Sequence, residues 1–226
     1  MTHFLICARG GSKGIKDKNL KSIKNQSLIL RAINFAKKFK GSKIYLSSDS
    51  KKIIDVGKKN KINAIKRPVS LALDNTSELK VWKHFIKILS LEKKIIPSFI
   101  VNLPPTSPLR KIETVSKAIK YFKKNNFDIV VVIIKSRKNP YFNIVEKKGN
   151  LLKVSISNTR YVNRQSAPVT FDLTTIAYVV RSKFLLENNV SSIFEGKVGY
   201  IETTNTEEAI DIDDYYDLKL AKLLIK

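Results

Sequence analysis

Apolar positions along the chain change period several times, and each change marks an element. HFLICA (3–8) is a short, nearly continuous apolar run, as a buried strand requires. In LILRAINFAKKF (28–39), Leu28, Ile29, Ala32, Ile33 and Ala36 fall on one face of a helix. KIYLSS (43–48) reads as a second strand, and Ser50 as the N-cap of a helix carrying Ile53, Ile54 and Val56. INAI (62–65) is a third strand, stopped where Pro68 removes a ladder donor. Leu79, Trp82, Phe85, Ile86 and Leu89 mark a further helix, SFIVNL (98–103) a strand, and Val115, Ala118, Ile119 and Phe122 another helix. DIVVVIIK (128–135) is apolar throughout, as a strand covered on both faces should be.

From about Ser136 to Ala167 this rhythm loosens. FNIVE (142–146) and LLKVSI (151–156) flank Gly149-Asn150, a turn signal, which predicts an inserted hairpin at 136–167. The pattern resumes with TTIAYVV (174–180), a helix over 183–188, the strand VGYIET (198–203), and a closing helix at 215–225 with Leu218, Ala221 and Leu224 inward. Strands alternating with helices predict an α/β fold with a mostly parallel sheet, one domain over 1–226. Ligands of such sheets bind beyond the carboxyl ends of the strands. That directs attention to the loops 9–19, 47–50, 67–77, 102–110 and 211–214.

Composition alters this picture in three ways. At 226 residues and 43% hydrophobic, the chain can bury one sizeable core. The net charge of +24 invites a nucleic-acid partner. However, lysines are scattered along helices and aromatics such as Phe85 and Phe122 fall at core spacings, so a solvated lysine face is the reading and no nucleic acid is expected. A non-catalytic nucleic-acid-binding protein stands as the remote alternative; it would need a basic stripe interleaved with exposed aromatics. Cys7 is the single cysteine, which excludes an intrachain disulfide. No apolar run approaches a membrane span, and a cytoplasmic location is expected.

Directly after the first strand, RGGSKGIKDKN (9–19) holds three glycines and the cations Arg9, Lys13, Lys16 and Lys18. Glycines let backbone N–H groups converge on an anion, and the side chains neutralise it. A plain turn explains the glycines but not the clustered positive charge. The spacing fits neither the Walker A loop nor GxGxxG.

ARGGSKGIKDKN resembles the signature of the acylneuraminate cytidylyltransferases, the CMP-sialic acid synthetase family, which includes enzymes for legionaminic, pseudaminic and 3-deoxy-octulosonic acids. Arg67-Pro68 with Asp74 and Ser77, PTSPLR (105–110), Arg164-Gln165 and Asp211-Ile212-Asp213 resemble further motifs of that family, in the same order over nearly the full length. The resemblance implies a Rossmann-like nucleotidyltransferase fold whose inserted hairpin packs in a homodimer. It implies transfer of CMP from CTP to the anomeric hydroxyl of a sialic-acid-like nonulosonic acid, an acidic α-keto sugar. The same reaction on a 3-deoxy-octulosonic acid is the alternative, as is another nucleotide on the same fold. It further implies that Ala8, Arg9, Gly10, Gly11, Ser12, Asn19, Arg67 and Ser77 bind the nucleotide. Arg9, Lys13, Lys18 and Asp211 would act in catalysis, and Arg164, Gln165, Thr174 and Thr175 would contact the sugar.

Asp211 and Asp213 stand two apart, so in an extended segment both carboxylates point to one side, as a shared Mg²⁺ requires. The competing reading is that Asp213 or Asp214 caps the last helix, with Asp217 in its first turn. Departures from the family pattern occur at Pro104, where a glutamine is common, at Thr174-Thr175, where an Asn-Gly is common, and at the turn Asn25-Gln26-Ser27. The first two bear on the choice of acceptor.

Overall fold

The computed structural model describes residues 1–157, 161, 163, 165–187 and 190–225. In chain order the elements are β1 (His3–Cys7), β2 (Ser22–Ile23), β3 (Gln26–Ser27), α1 (Leu28–Lys37), β4 (Lys43–Ser48), α2 (Lys51–Lys59), β5 (Asn63–Lys66) and α3 (Glu78–Lys93). There follow β6 (Phe99–Asn102), α4 (Ile112–Lys124), β7 (Ile129–Lys135), β8 (Val145–Lys148), β9 (Leu151–Val154), β10 (Phe171–Arg181), α5 (Ser182–Leu186), β11 (Val198–Thr203) and α6 (Tyr215–Leu224). Seven strands form one sheet in the order β11-β7-β10-β6-β1-β4-β5.

All pairings in this sheet are parallel except those of β10, which runs antiparallel to both β6 and β7. The cause lies in the connection. No crossover helix separates β7 from β10, only the insert, and a chain that turns back without a crossover must pair antiparallel. Within the insert, β8 and β9 pair across Gly149-Asn150, with Lys148 opposite Leu151 and Gly149 at φ +62°. This is the hairpin expected from the turn signal, although its first strand begins at Val145 rather than Phe142.

Period-2 alternation sorts the strands' side chains onto two faces. Phe4 and Ile6 of β1 join α1, α2 and α4 in one core cluster, while Leu5 joins α3 and α5 in the other. Trp82, Phe85 and Leu89 of α3 are fully buried in the second cluster; removing such an aromatic typically costs about 3–5 kcal/mol. A third, smaller cluster positions the site. Ile15 of the opening loop, Ile23, Leu28, Ile212 and Leu218 pack together, clamping the loop after β1 to the segment before α6.

Of the expected caps, that of α2 lacks its bond and that of α6 falls on Asp214, one of the two residues named for it. Ser50 occupies the N-cap position of α2, but its hydroxyl makes no capping bond. Asp214, not Asp213, caps α6: its carboxylate accepts from the Tyr216 and Asp217 amides, and Asp217 accepts from the Asp213 and Asp214 amides. Capping therefore leaves the Asp211 and Asp213 carboxylates uncommitted to the helix.

Candidate functional site

A cleft of about 560 Å³ opens at the carboxyl ends of β1, β5 and β6. Its lining combines the cations Arg9, Lys13, Lys18 and Arg67 with Ser12, Glu78 and the less polar Cys7, Leu71 and Val81. Pro104, Thr106, Thr175 and Asp213 line it as well.

The opening loop takes its shape from its own residues. Asn19 is buried and donates its amide to the Arg9 carbonyl at 3.0 Å, bending the loop back. Gly14 lies so near the last carboxylate segment that a Cβ there would sit 2.2 Å from the Asp213 carbonyl oxygen. Only glycine permits that approach. Lys18, from the same loop, reaches Asp213 at 3.0 Å across 195 positions of sequence.

The clustered cations are balanced by a carboxylate. Arg9 and Lys13 pair with the two oxygens of Asp74 at 2.7 and 2.8 Å, and these hydrogen bonds, that from Lys13 first, hold its carboxyl below the ordinary range. The pairs are exposed, and such bridges are weak and screened by salt, so a more highly charged anion can displace Asp74. The Gly10 amide is engaged as well, donating to Asp49 at 3.1 Å, while Arg67 approaches the same Asp49 oxygen at 3.8 Å. Ala8 is fully buried in the core and donates its amide to Ser47. Around Gly11 the space is open.

Asp211 is held from the neighbouring loop. Thr106 and Thr175 hydrogen bond to its carboxylate, and the Ile212 amide donates to the Thr106 carbonyl at 2.9 Å. Desolvation pushes the Asp211 carboxyl upward, those two hydroxyls partly oppose it, and the neighbouring Asp213 charge adds to it. Its Oδ1 is buried with no partner among the described residues. The PTSPLR loop is braced from beneath by Arg110, which donates to the Ser107 carbonyl at 2.9 Å and also to that of Pro104. Burial lowers that guanidinium to about 9.

Among the described residues expected at the sugar, only Thr175 lines the cleft. Thr174 is corrected: it is 4% exposed and donates its hydroxyl to the Val132 carbonyl at 2.8 Å, away from the cleft. Adjacent strand residues face opposite sides, so one of the pair had to point away. Gln165 lines a separate pocket with Lys135, Asn139 and Pro168. Arg164 lies outside the described residues. Ser77 sits exposed at the N-cap of α3, making no capping bond, between the cleft-lining Thr76 and Glu78.

The family model described as "Cytidylyltransferase" matches residues 3–220. The chain belongs to the cytidylyltransferase family. It is 34% identical over 222 residues to the CMP-N,N'-diacetyllegionaminic acid synthase of Campylobacter jejuni, covering 97% of this chain and 93% of that one. It is 33% identical over 226 residues to the post-translational flagellin modification protein B of Campylobacter coli, covering 98% and 93%. Among solved structures, a CMP:2-keto-3-deoxy-manno-octonic acid synthetase complexed with CTP superposes with a TM-score of 0.68 at 13% identity, covering 100% of this chain and 98% of that one. That likeness concerns the fold, and it matches the mostly parallel sheet found here.

Several residues in or supporting the cleft gave no signal in the sequence. Asp49 follows a strand as many aspartates do, and Glu78 opens a helix, where acids are common for dipole reasons alone. Glu208 is fully buried and accepts from the Lys111 amide at 3.2 Å, from Thr114 at 2.9 and 3.0 Å, and from Thr203, tying the segment before Asp211 to α4 and β11.

Proposed function

We propose that this cytidylyltransferase transfers CMP from CTP to the anomeric hydroxyl of an acidic, sialic-acid-like nonulosonic acid and releases pyrophosphate. The observation that carries the reading is the meeting of the Gly-rich cationic loop with the Asp211–Asp213 segment, through the Lys18–Asp213 pair and the Gly14 contact. Phosphoryl-group transfer needs little covalent help; it needs positioned positive charge around the phosphates. Arg9, Ser12 and Lys13 supply this for the triphosphate and the departing pyrophosphate, displacing Asp74. Lys18 faces the α-phosphate, while Arg67 and Ser77 contact the nucleotide. The anomeric oxygen bonds to the α-phosphorus, the bond to the β-phosphate oxygen breaks, and the hydroxyl proton is released.

Asp211 and Asp213 suit Mg²⁺: two carboxylates from one extended segment, one with a buried oxygen lacking any partner. An ion held there supplies Lewis acidity to the phosphate and lowers the pKa of the acceptor hydroxyl. Thr106 and Thr175 hold the Asp211 carboxylate in place for it.

The relatives named for legionaminic acid support a nonulosonic acceptor, with a 3-deoxy-octulosonic acid as the related choice. Arg164, Gln165 and Thr175 are the chain's sugar contacts in this reading. Because Gln165 lies apart from the cleft of its own chain, a homodimer that lends the insert to its partner is part of the proposal. The exposed Val145, Leu151 and Leu152 of the hairpin give such a partner an apolar surface. No helix among the described residues is long and apolar enough to cross a membrane, and a cytoplasmic reaction is part of the proposal.

The test is pyrophosphate release with CTP, Mg²⁺ and a panel of acidic α-keto sugars. Release with a nonulosonic acid is expected. No release with any sugar, together with steeply salt-dependent binding to duplex DNA, would overturn the reading in favour of a nucleic-acid binder.

A further inference from the structure

One anion already sits among the loop cations, and it belongs to the chain. Asp74 lies in the turn between β5 and α3, and its two carboxylate oxygens take Arg9 at 2.7 Å and Lys13 at 2.8 Å. These are the lengths of charge-assisted hydrogen bonds, and each oxygen serves a different cation. Arg9, Lys13 and Asp74 all line the cleft, so the tie is made within it.

No apolar anchor holds Asp74 there. Between the buried Arg67 and the buried Leu79, no residue of the segment 68–78 is buried; Val69 and Leu73 are 70% and 52% exposed. The segment is shaped by its own hydrogen bonds: the Leu71 and Ala72 amides donate to the Pro68 and Val69 carbonyls, and Thr76 donates to those of Leu73 and Ser70. It can swing aside without uncovering core, and the exposed ion pairs that fasten its tip are weak.

A carboxylate tethered in this way competes at an effective concentration on the order of millimolar. A free monoanion offers the two cations no more charge than Asp74 does, and so it is kept out. The β- and γ-phosphates of a triphosphate carry more charge and more acceptor oxygens, and they displace the carboxylate. After transfer, the same carboxylate stands ready to contest both cations with the pyrophosphate.

We infer that Asp74 is a built-in competitor for the pyrophosphate part of the nucleotide: it holds Arg9 and Lys13 until a more highly charged group displaces it, and so it sets how strongly the cleft prefers a triphosphate to lesser anions. This rests on the CTP reading above.

The experiment measures equilibrium binding of CTP, inorganic pyrophosphate and CMP, each with Mg²⁺ and without acceptor sugar, to the full chain and to D74N, D74A and D17N. Apparent affinity scales with the fraction of sites left open, and two exposed pairs close most of them but not all. D74N and D74A should therefore bind CTP and pyrophosphate about three- to tenfold more tightly than the wild type. CMP, which lacks the β- and γ-phosphates, should bind all four chains alike. In about 1 M salt, where charges are screened beyond about 3 Å, the gain should vanish. D17N removes an equal charge from the opening loop itself and should leave all three ligands nearly unchanged. Thermal melts confirm that the variants fold. Unchanged CTP binding in both Asp74 variants overturns the inference and leaves the CTP reading standing. Weaker binding overturns it as well, because Asp74 would then support the cations rather than compete for them. Equal tightening in D17N, or equal tightening of CMP, overturns it in favour of a general field. Wild type that binds neither CTP nor pyrophosphate overturns both readings.

Discussion

Replacing Gly14 by alanine tests whether the loop and the carboxylate segment work as one site. The new Cβ would lie 2.2 Å from the Asp213 backbone oxygen. Carbon and a carbonyl oxygen rest at roughly 3.3 Å in their closest ordinary contacts, so one segment must retreat by about 1 Å. Neither can do so freely: Ile15, the next residue, and Ile212, the preceding one, are both fully buried in the same small cluster. The displacement therefore falls on Asp213, its bond to Lys18, and the spacing between the glycine-rich loop and the carboxylates. A misplacement of about 1 Å in a catalytic constellation can cost about a hundredfold in rate, equivalent to about 2.7 kcal/mol of barrier. The small cluster should keep the chain folded, because the two main clusters on the central sheet are untouched. The assay is pyrophosphate release at saturating CTP and Mg²⁺, beside a urea unfolding curve. A fall in kcat of about a hundredfold with a nearly unchanged unfolding midpoint is expected. Wild-type turnover would refute the coupling, and a collapsed midpoint would assign Gly14 to stability instead.

Other substitutions probe separate parts of the cleft. Asp211→Asn should remove Mg²⁺-dependent turnover, since the carboxylate braced by Thr106 and Thr175 is the buried half of the pair; retained turnover at any Mg²⁺ concentration would exclude it as a ligand. Glu208→Ala leaves a buried amide and two threonine hydroxyls without their acceptor, and should cost roughly 2–4 kcal/mol in denaturant unfolding; a loss below the fitting error would show that water replaces it. Glu78, desolvated in its cleft and repelled by Asp211, is pushed up to about 7. Its folded value exceeds its unfolded one, so the stability it contributes is full in acid and is lost as pH rises from about 4.5 through 7. E78Q should therefore gain stability over the wild type at pH 8 but not at pH 4, by unfolding midpoints, and equal shifts at both would reject the assignment.

Much of the molecule was legible before its structure. The apolar runs fixed the strands and helices because their burial repeats with the period of each element, as Phe4, Leu5 and Ile6 alternate between the two cores. The motif loops were legible too, because chemistry that depends on residue type at short spacing survives in one dimension. ARGGSKG and DID are local statements, and the fold sets both at the carboxyl end of the sheet. Tertiary structure decided what depends on distance through space. It gave the anion among the loop cations as Asp74, and turned Thr174 inward while leaving Thr175 in the cleft. It assigned the cap of α6 to Asp214 and so left Asp211 and Asp213 to face the loop. It reversed β10, since a strand's direction depends on how the chain returns rather than on its side chains. The same physics explains Glu78 and Asn102, 24 positions apart in sequence and joined only by folding. Periodicity records which way a side chain faces, but only the packed sheet determines what it meets there.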